Sequence, residues 1–117
     1  MIHGRLLRAD DRSCLIPRVA LTDNWFERLR GLLGSPPPGQ GEALLIRPCS
    51  SVHTFFMRFA IDLIFLDHEW RVAKTVDSLR PWRMAACPAA AMVLELAEGS
   101  LKQLSISRGI QLEWQDA

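Results

Sequence analysis

The segment IDLIFL, residues 61–66, constrains the fold more than any other part of the sequence. Alternate residues of a strand point to opposite faces, and here both faces are apolar apart from Asp62. We therefore expect this strand to be buried on both sides. A carboxylate in such a strand is costly unless it is paired or hydrogen-bonded.

The remaining patterns predict a mainly β (α+β) fold, built as a single domain over residues 1–117. Many short strands and a hairpin across residues 61–78 favour a mostly antiparallel β-barrel or sandwich of jelly-roll-like type. One clear helix is predicted at about residues 22–33, with Thr22 as its N-cap, and a short helix at about 99–105. Pro17 lacks an N–H donor, so its strand should be an edge strand or carry a bulge.

Composition excludes several classes of function. The net charge is +1 and the arginines are scattered, so we expect no nucleic-acid partner. No apolar run approaches the roughly 20 residues of a transmembrane helix, and the charged N-terminus predicts no secretory signal. Three cysteines without CxxC spacing are typical of reduced thiols, which favours a cytoplasmic location. RGLLGSPPPG lacks the spacing of a phosphate loop, and we predict no cofactor.

Several motifs occur in a familiar order: RLRGLLG, GEALLIRPC, HTFFMRFAIDLIFLD and MVLELAEG. Over residues 18–114 the chain resembles the Domain of Unknown Function 192 (DUF192) family of small bacterial and archaeal proteins. The resemblance implies a β-rich, barrel-like or jelly-roll-like fold with short helices, and no established activity. Some members are encoded beside pilus-assembly or secretion genes, which implies an accessory role. Many members have Asn-Thr after the methionine, whereas Met57 is followed here by Arg58 and Phe59.

Asp62 has two interpretations. It is either a structural carboxylate that accepts backbone N–H groups or pairs with an arginine, or the polar floor of a pocket.

Cys49 and His53 are the second candidate feature. As a catalytic pair, His53 would take the proton from the Cys49 thiol and leave a nucleophilic thiolate. The alternative is a small buried thiol near a surface histidine. A metal site would need a third ligand from Asp62, His68 or Cys87, but the doubled spacing of a zinc site is missing, so we predict no metal.

RPWR, residues 80–83, places an arginine on each side of Trp82. An aromatic plane beside guanidinium groups suits a sugar, nucleotide or carboxylate, although Trp82 could equally close one end of a barrel. Together with the strip from residue 49 to 62, this segment is predicted to line one cleft. The predicted ligand-binding residues are Ser50, Ser51, Thr54, Met57, Arg58, Asp62, Arg80, Trp82 and Arg83.

Three functions remain open from the sequence. The leading hypothesis is a non-enzymatic binding or accessory module that holds a small polar ligand or a peptide, because no catalytic signature is complete. The alternative is a small enzyme with Cys49 as nucleophile and His53 as base. The third is a structural accessory of a pilus or secretion assembly, with a protein of that machinery as partner.

Overall fold

The computed structural model describes residues 2–22, 38–55 and 57–117. The predicted mainly β fold is confirmed. In chain order, the described elements are β1 (Ile2–Arg8), β2 (Cys14–Thr22), β3 (Glu42–Ile46), β4 (Ser51–His53), β5 (Ile61–Leu66), β6 (Val72–Leu79), β7 (Met84–Ala86), β8 (Met92–Ala97), α1 (Ser100–Leu104) and β9 (Leu112–Asp116).

Seven strands form one sheet in the order β6-β5-β8-β3-β2-β1-β9, and β4 pairs with β7 in a separate ribbon. All pairs are antiparallel except β2 with β3. The two outer strands of the sheet approach each other at one end, where Arg71 bridges Gln111 and the N–H of Val72 donates to Ile110 O at 2.8 Å. The sheet is therefore strongly curled, and within the described residues this contact falls short of a continuous barrel.

Strand β5 is buried on both faces, as its sequence predicted. Ile64 and Leu66 belong to one apolar cluster, which also holds Leu101 of α1. Leu63 and Phe65 belong to a second cluster, and the β4–β7 ribbon covers that side with Val52, Ala85 and Cys87. The two clusters explain why IDLIFL has no polar face.

The ladder between β1 and β2 and the ladder between β5 and β6 are each interrupted by two register shifts. Between the pair of Gly4 with Val19 and the pair of Leu6 with Ile16, one residue of β1 lies opposite two of β2, which are Pro17 and Arg18, so the bulge includes Pro17. This confirms the predicted bulge, and it lets a residue without an N–H sit inside the sheet. A similar shift occurs in β6, where Ser78 adopts a positive φ of 55°.

The helix predictions have different outcomes. The short helix is confirmed as α1. Thr22, the expected N-cap, is the last residue of β2 and its hydroxyl donates to Leu45 O at 3.4 Å, while residues 23–33 lie outside the described residues. Within the described parts of the chain, no helix has the length and apolar character needed to cross a bilayer.

The apolar run TFFMRF, residues 54–59, is typical of a strand, but its described residues are not in one. Strand β4 ends at His53, and the chain turns at Thr54, whose carbonyl accepts the N–H of Met57 at 3.2 Å. The physical reason is that the backbone of Thr54 forms hydrogen bonds with the segment 80–83, as described below.

Candidate functional site

The outer face of the β4–β7 ribbon carries a group of exposed apolar side chains. His53 lies opposite Met84 in the ladder, and the His53 ring is 4.9 Å from the ring of Phe55. Phe55 in turn stacks on Trp82, with 5.8 Å between ring centroids and 23° between ring planes. Phe55, Trp82 and Met84 are 37%, 54% and 67% exposed. We call His53, Phe55, Trp82 and Met84 the aromatic platform.

Thr54 holds the platform in place from below. Its side chain is fully buried, and its hydroxyl donates to Arg80 O at 2.5 Å and accepts the N–H of Arg83 at 2.9 Å. The backbone N–H of Thr54 donates to Arg83 O at 2.9 Å, and its carbonyl oxygen accepts the N–H of Trp82 at 3.0 Å. Two segments about 26 residues apart are thereby joined at one threonine.

Trp82 has an unusual backbone conformation. Its φ is +63°, in the left-handed region that bulky L-residues rarely occupy, at a cost of about 1–2 kcal/mol. The bonds to Thr54 fix this conformation, and it places the indole ring beside Phe55. Arg80 and Arg83 on either side are exposed, and Arg83 Nη1 donates to Trp82 O at 3.3 Å.

Cys49 lies at the other end of the ribbon. Its N–H donates to Ala91 O at 3.0 Å, two residues before β4 begins, whereas His53 is the last residue of β4 and pairs with Met84. The half-buried Cys49 thiol donates to Ser51 O at 3.1 Å, a bond that uses the proton a thiolate would lack. The structure thus places one candidate catalytic residue, Cys49, just before β4 and the other, His53, at the far end of that strand.

A pocket of about 380 Å³ opens beside Cys49. Its lining includes Ser50, Ser51 and His68, with Pro48, Ala90 and Ala91 completing the walls. His68, named above as a possible metal ligand, is the histidine that shares this pocket with the thiol. Within the described ranges, no group of three or more His, Cys, Asp or Glu side chains is placed to hold a metal ion.

Asp62 lies apart from both the platform and the pocket, in the interior of the protein. It is fully buried on the face of β5 that also carries Ile64 and Leu66. Its Oδ1 accepts the N–H of Ser78 and its Oδ2 accepts the N–H of Leu101, both at 2.9 Å. Helix α1 begins after Gly99, which has no side chain to cap it, so Asp62 supplies that acceptor from a neighbouring strand. This geometry matches the structural interpretation of Asp62.

The other predicted ligand residues are divided between these places. Met57 is half-buried and packs against the cluster under the ribbon, while Arg58 is exposed. The residues predicted to line one cleft therefore lie in three separate places. These are the pocket at Cys49–Ser51, the platform at residues 53–55 and 80–84, and the interior position of Asp62.

Glu95 was missed by the sequence analysis. Alternation in AMVLEL places Met92, Leu94 and Leu96 inward and would leave Glu95 outward. The structure buries it to 7% exposure, between its cross-strand neighbours Leu44 and Leu63. Its carboxyl group has no hydrogen-bond or ionic partner in the part of the chain that the structure describes, and burial raises its pKa to about 7. Its burial follows from the position of β8 inside the sheet, between β3 and β5.

Comparisons with known proteins place the chain in a family. The model of DUF192, described as an uncharacterized ACR, matches residues 6–114. A UPF0127 protein of Pyrococcus abyssi is 36% identical over 83% of this chain and 86% of its own length, and one of Pyrococcus furiosus is 33% identical over 82% and 85%.

Two solved structures share the fold. A candidate transcription regulator from Sinorhizobium meliloti superposes with a TM-score of 0.78 at 21% identity, over 97% of this chain and 92% of that one. A protein of unknown function from Novosphingobium aromaticivorans gives 0.73 at 19% identity, over 96% and 84%. At these identities the likeness concerns the fold alone. The match over residues 6–114 decides the family, and this chain belongs to DUF192.

Proposed function

We propose that this protein is a non-enzymatic binding module whose ligand sits on the aromatic platform. One observation carries the proposal: Trp82 is held at a positive φ with 54% of its surface exposed. A backbone outlier of this kind persists when its surroundings fix it, and such outliers cluster at binding sites. Here the fixing element is the buried Thr54, so the platform is organised before any ligand arrives.

The free energy of burying apolar surface supports a binding role for the aromatic platform. Burying a tryptophan or phenylalanine ring is worth several kcal/mol in a core, about 25 cal/mol for each Å² removed from water. In this chain the stacked rings of Phe55 and Trp82, together with Met84, remain partly exposed to water and so lack part of this stabilisation. A ligand that covers them recovers it, without the cost of ordering the loop.

The proposal retains the predicted ligand class and compartment. Exposed Arg80 and Arg83 suit a small polar ligand or a peptide that carries carboxylates. Cys14, Cys49 and Cys87 form no disulfide with one another, and a cytoplasmic location is part of the proposal.

The test is a backbone-amide NMR titration with a collection of short peptides and small polar metabolites. At least one compound should shift the amide signals of residues 53–55 and 80–84 in a saturable way, without forming a product. The Phe55→Ala/Trp82→Ala variant should lose the response, whereas Arg108→Glu, a change of an exposed arginine elsewhere, should keep it. Turnover, or shifts confined to residues 48–51 and 68, would instead support the enzyme alternative at the Cys49 pocket.

Thr54 provides a sharper test of preorganisation. Thr54→Val keeps the shape but removes the hydroxyl bonds, so the free energy of unfolding should fall by about 2 kcal/mol. Ligand affinity should fall about five-fold as the platform loosens. Thr54→Ser retains the hydroxyl and should restore both quantities toward wild type. If Thr54→Val loses stability with affinity unchanged, Thr54 supports the fold and does not position the platform.

A further inference from the structure

The charge around the aromatic platform is strongly one-sided. Residues 48–61 and 78–94, which build the ribbon and the platform, contain Arg58, Arg80 and Arg83 but neither aspartate nor glutamate. All three arginines are exposed. The ion pairs of the described residues involve other arginines, namely Arg8, Arg12, Arg18 and Arg71. Arg80 and Arg83 flank Trp82 in the sequence, and none of the three guanidinium groups has an ion-pair partner within the described residues.

The shape of the platform argues against a small molecule. Small ligands are held in concave sites that bury most of their surface. The concave feature described above, the pocket beside Cys49, lies at the opposite end of β4. The platform is instead an outward-facing surface on a two-stranded ribbon, and Met84, at 67% exposure, is more exposed than Phe55 or Trp82. Tryptophan, phenylalanine, methionine and arginine, with acidic residues depleted, form the characteristic composition of protein interfaces.

We infer that the platform docks an acidic peptide segment of a partner protein. Apolar side chains of that segment would cover Phe55, Trp82 and Met84, and its carboxylates would pair with Arg80 and Arg83, whose guanidinium groups favour bidentate contacts. The inference rests on the proposed function and adds the chemistry of the partner.

Single-stranded nucleic acid is the principal competitor, because bases also stack on aromatic rings beside arginine. Nucleic-acid affinity depends on a track of cations along the phosphates, and the chain has a net charge of only +1. A short acidic peptide segment can be paired by a few arginines and does not need a continuous row of cations.

The test is selection of a random twelve-residue peptide library against the wild-type protein and against an Arg80→Glu/Arg83→Glu variant. Wild-type selection should enrich peptides that combine aspartate or glutamate with aromatic or aliphatic residues. The charge-reversed variant should bind those peptides about ten-fold more weakly and select lysine or arginine in their place. Arg108→Glu is the matched control and should leave both affinity and selection unchanged.

Other outcomes separate this inference from the proposed function. If the selected peptides lose binding in Phe55→Ala/Trp82→Ala but show no acidic bias, the platform is a binding surface and the inference about acidic partners is overturned. If selection is indifferent to both pairs of substitutions, the proposed function also falls. A labelled oligothymidine that binds more tightly than the selected peptides, with steep salt dependence and loss in Arg80→Glu/Arg83→Glu, would replace the protein partner by nucleic acid.

Discussion

Asp62 and Glu95 are buried carboxyl groups on adjacent strands, only one ladder position apart. Asp62 lies opposite Leu96, and Glu95 lies opposite Leu63, on the other face of the sheet. Asp62 receives two backbone N–H donors, whereas Glu95 has no partner among the described residues. The same sheet therefore holds one carboxylate that organises the fold and one that opposes it when charged. Burial alone does not determine the role of an acid; the donors aimed at it do.

The largest expected effect comes from Asp62→Asn. The substitution preserves size but removes the charge and turns an N–H₂ group toward a backbone donor. Because hydrogen bonds to a charged acceptor are worth about 1.5–3 kcal/mol each, the free energy of unfolding should fall by about 4 kcal/mol. Urea unfolding followed by circular dichroism measures this. Asp67→Asn, at an exposed turn that also accepts backbone N–H groups, is the control and should cost less than half as much. A loss below about 1 kcal/mol at position 62 would contradict the structural role.

Glu95→Gln should change stability with the opposite sign and only at higher pH. The pKa of Glu95 rises from 4.5 to about 7 in the folded chain, so the folded state retains a proton that the unfolded chain has lost. Wild-type stability contributed by this group is therefore intact below pH 4.5 and falls as pH rises through about 7. The full penalty corresponds to about 3 kcal/mol.

The measurement is the difference in unfolding free energy between Glu95→Gln and wild type across this pH range. We expect a small difference at low pH and a variant about 2–3 kcal/mol more stable at pH 8. Glu98→Gln removes an exposed carboxyl group nearby and should leave the wild-type pH profile intact. A difference that does not vary with pH would show that Glu95 is not an isolated buried acid.

The smallest expected effect is at Ser78, which Asp62 holds at a φ of 55°. Glycine occupies this region without strain, so Ser78→Gly should stabilise the protein by up to about 1 kcal/mol. Ser107→Gly, in an exposed loop, should instead be neutral or slightly destabilising. In the Asp62→Asn background the effect of Ser78→Gly should differ by at least about 0.5 kcal/mol, because the two residues share a hydrogen bond. Strict additivity would indicate that Asp62 does not hold the bulge.

The sequence predicted the structure best where a residue type restricts the local structure directly. Apolar residues on both faces of IDLIFL required two cores, and Pro17 required either an edge position or a bulge, of which the structure has the bulge. It predicted that Asp62 needed partners but could not name them, because Ser78 and Leu101 lie 16 and 39 residues away. RPWR was recognisable as a candidate site. Phe55 and Met84 joined it through stacking and cross-strand register, which no local pattern encodes.

The pairing of β1 with β9 has a consequence for synthesis. Gly4 lies opposite Asp116, and its missing side chain leaves room for Trp114, which any Cβ at this position would strike. The N–H of Ala117 also donates to His3 O at 3.1 Å. On the ribosome, β1 emerges before β9, so its outer edge stays uncovered until β9 follows. Until then that edge presents an open template to other nascent chains.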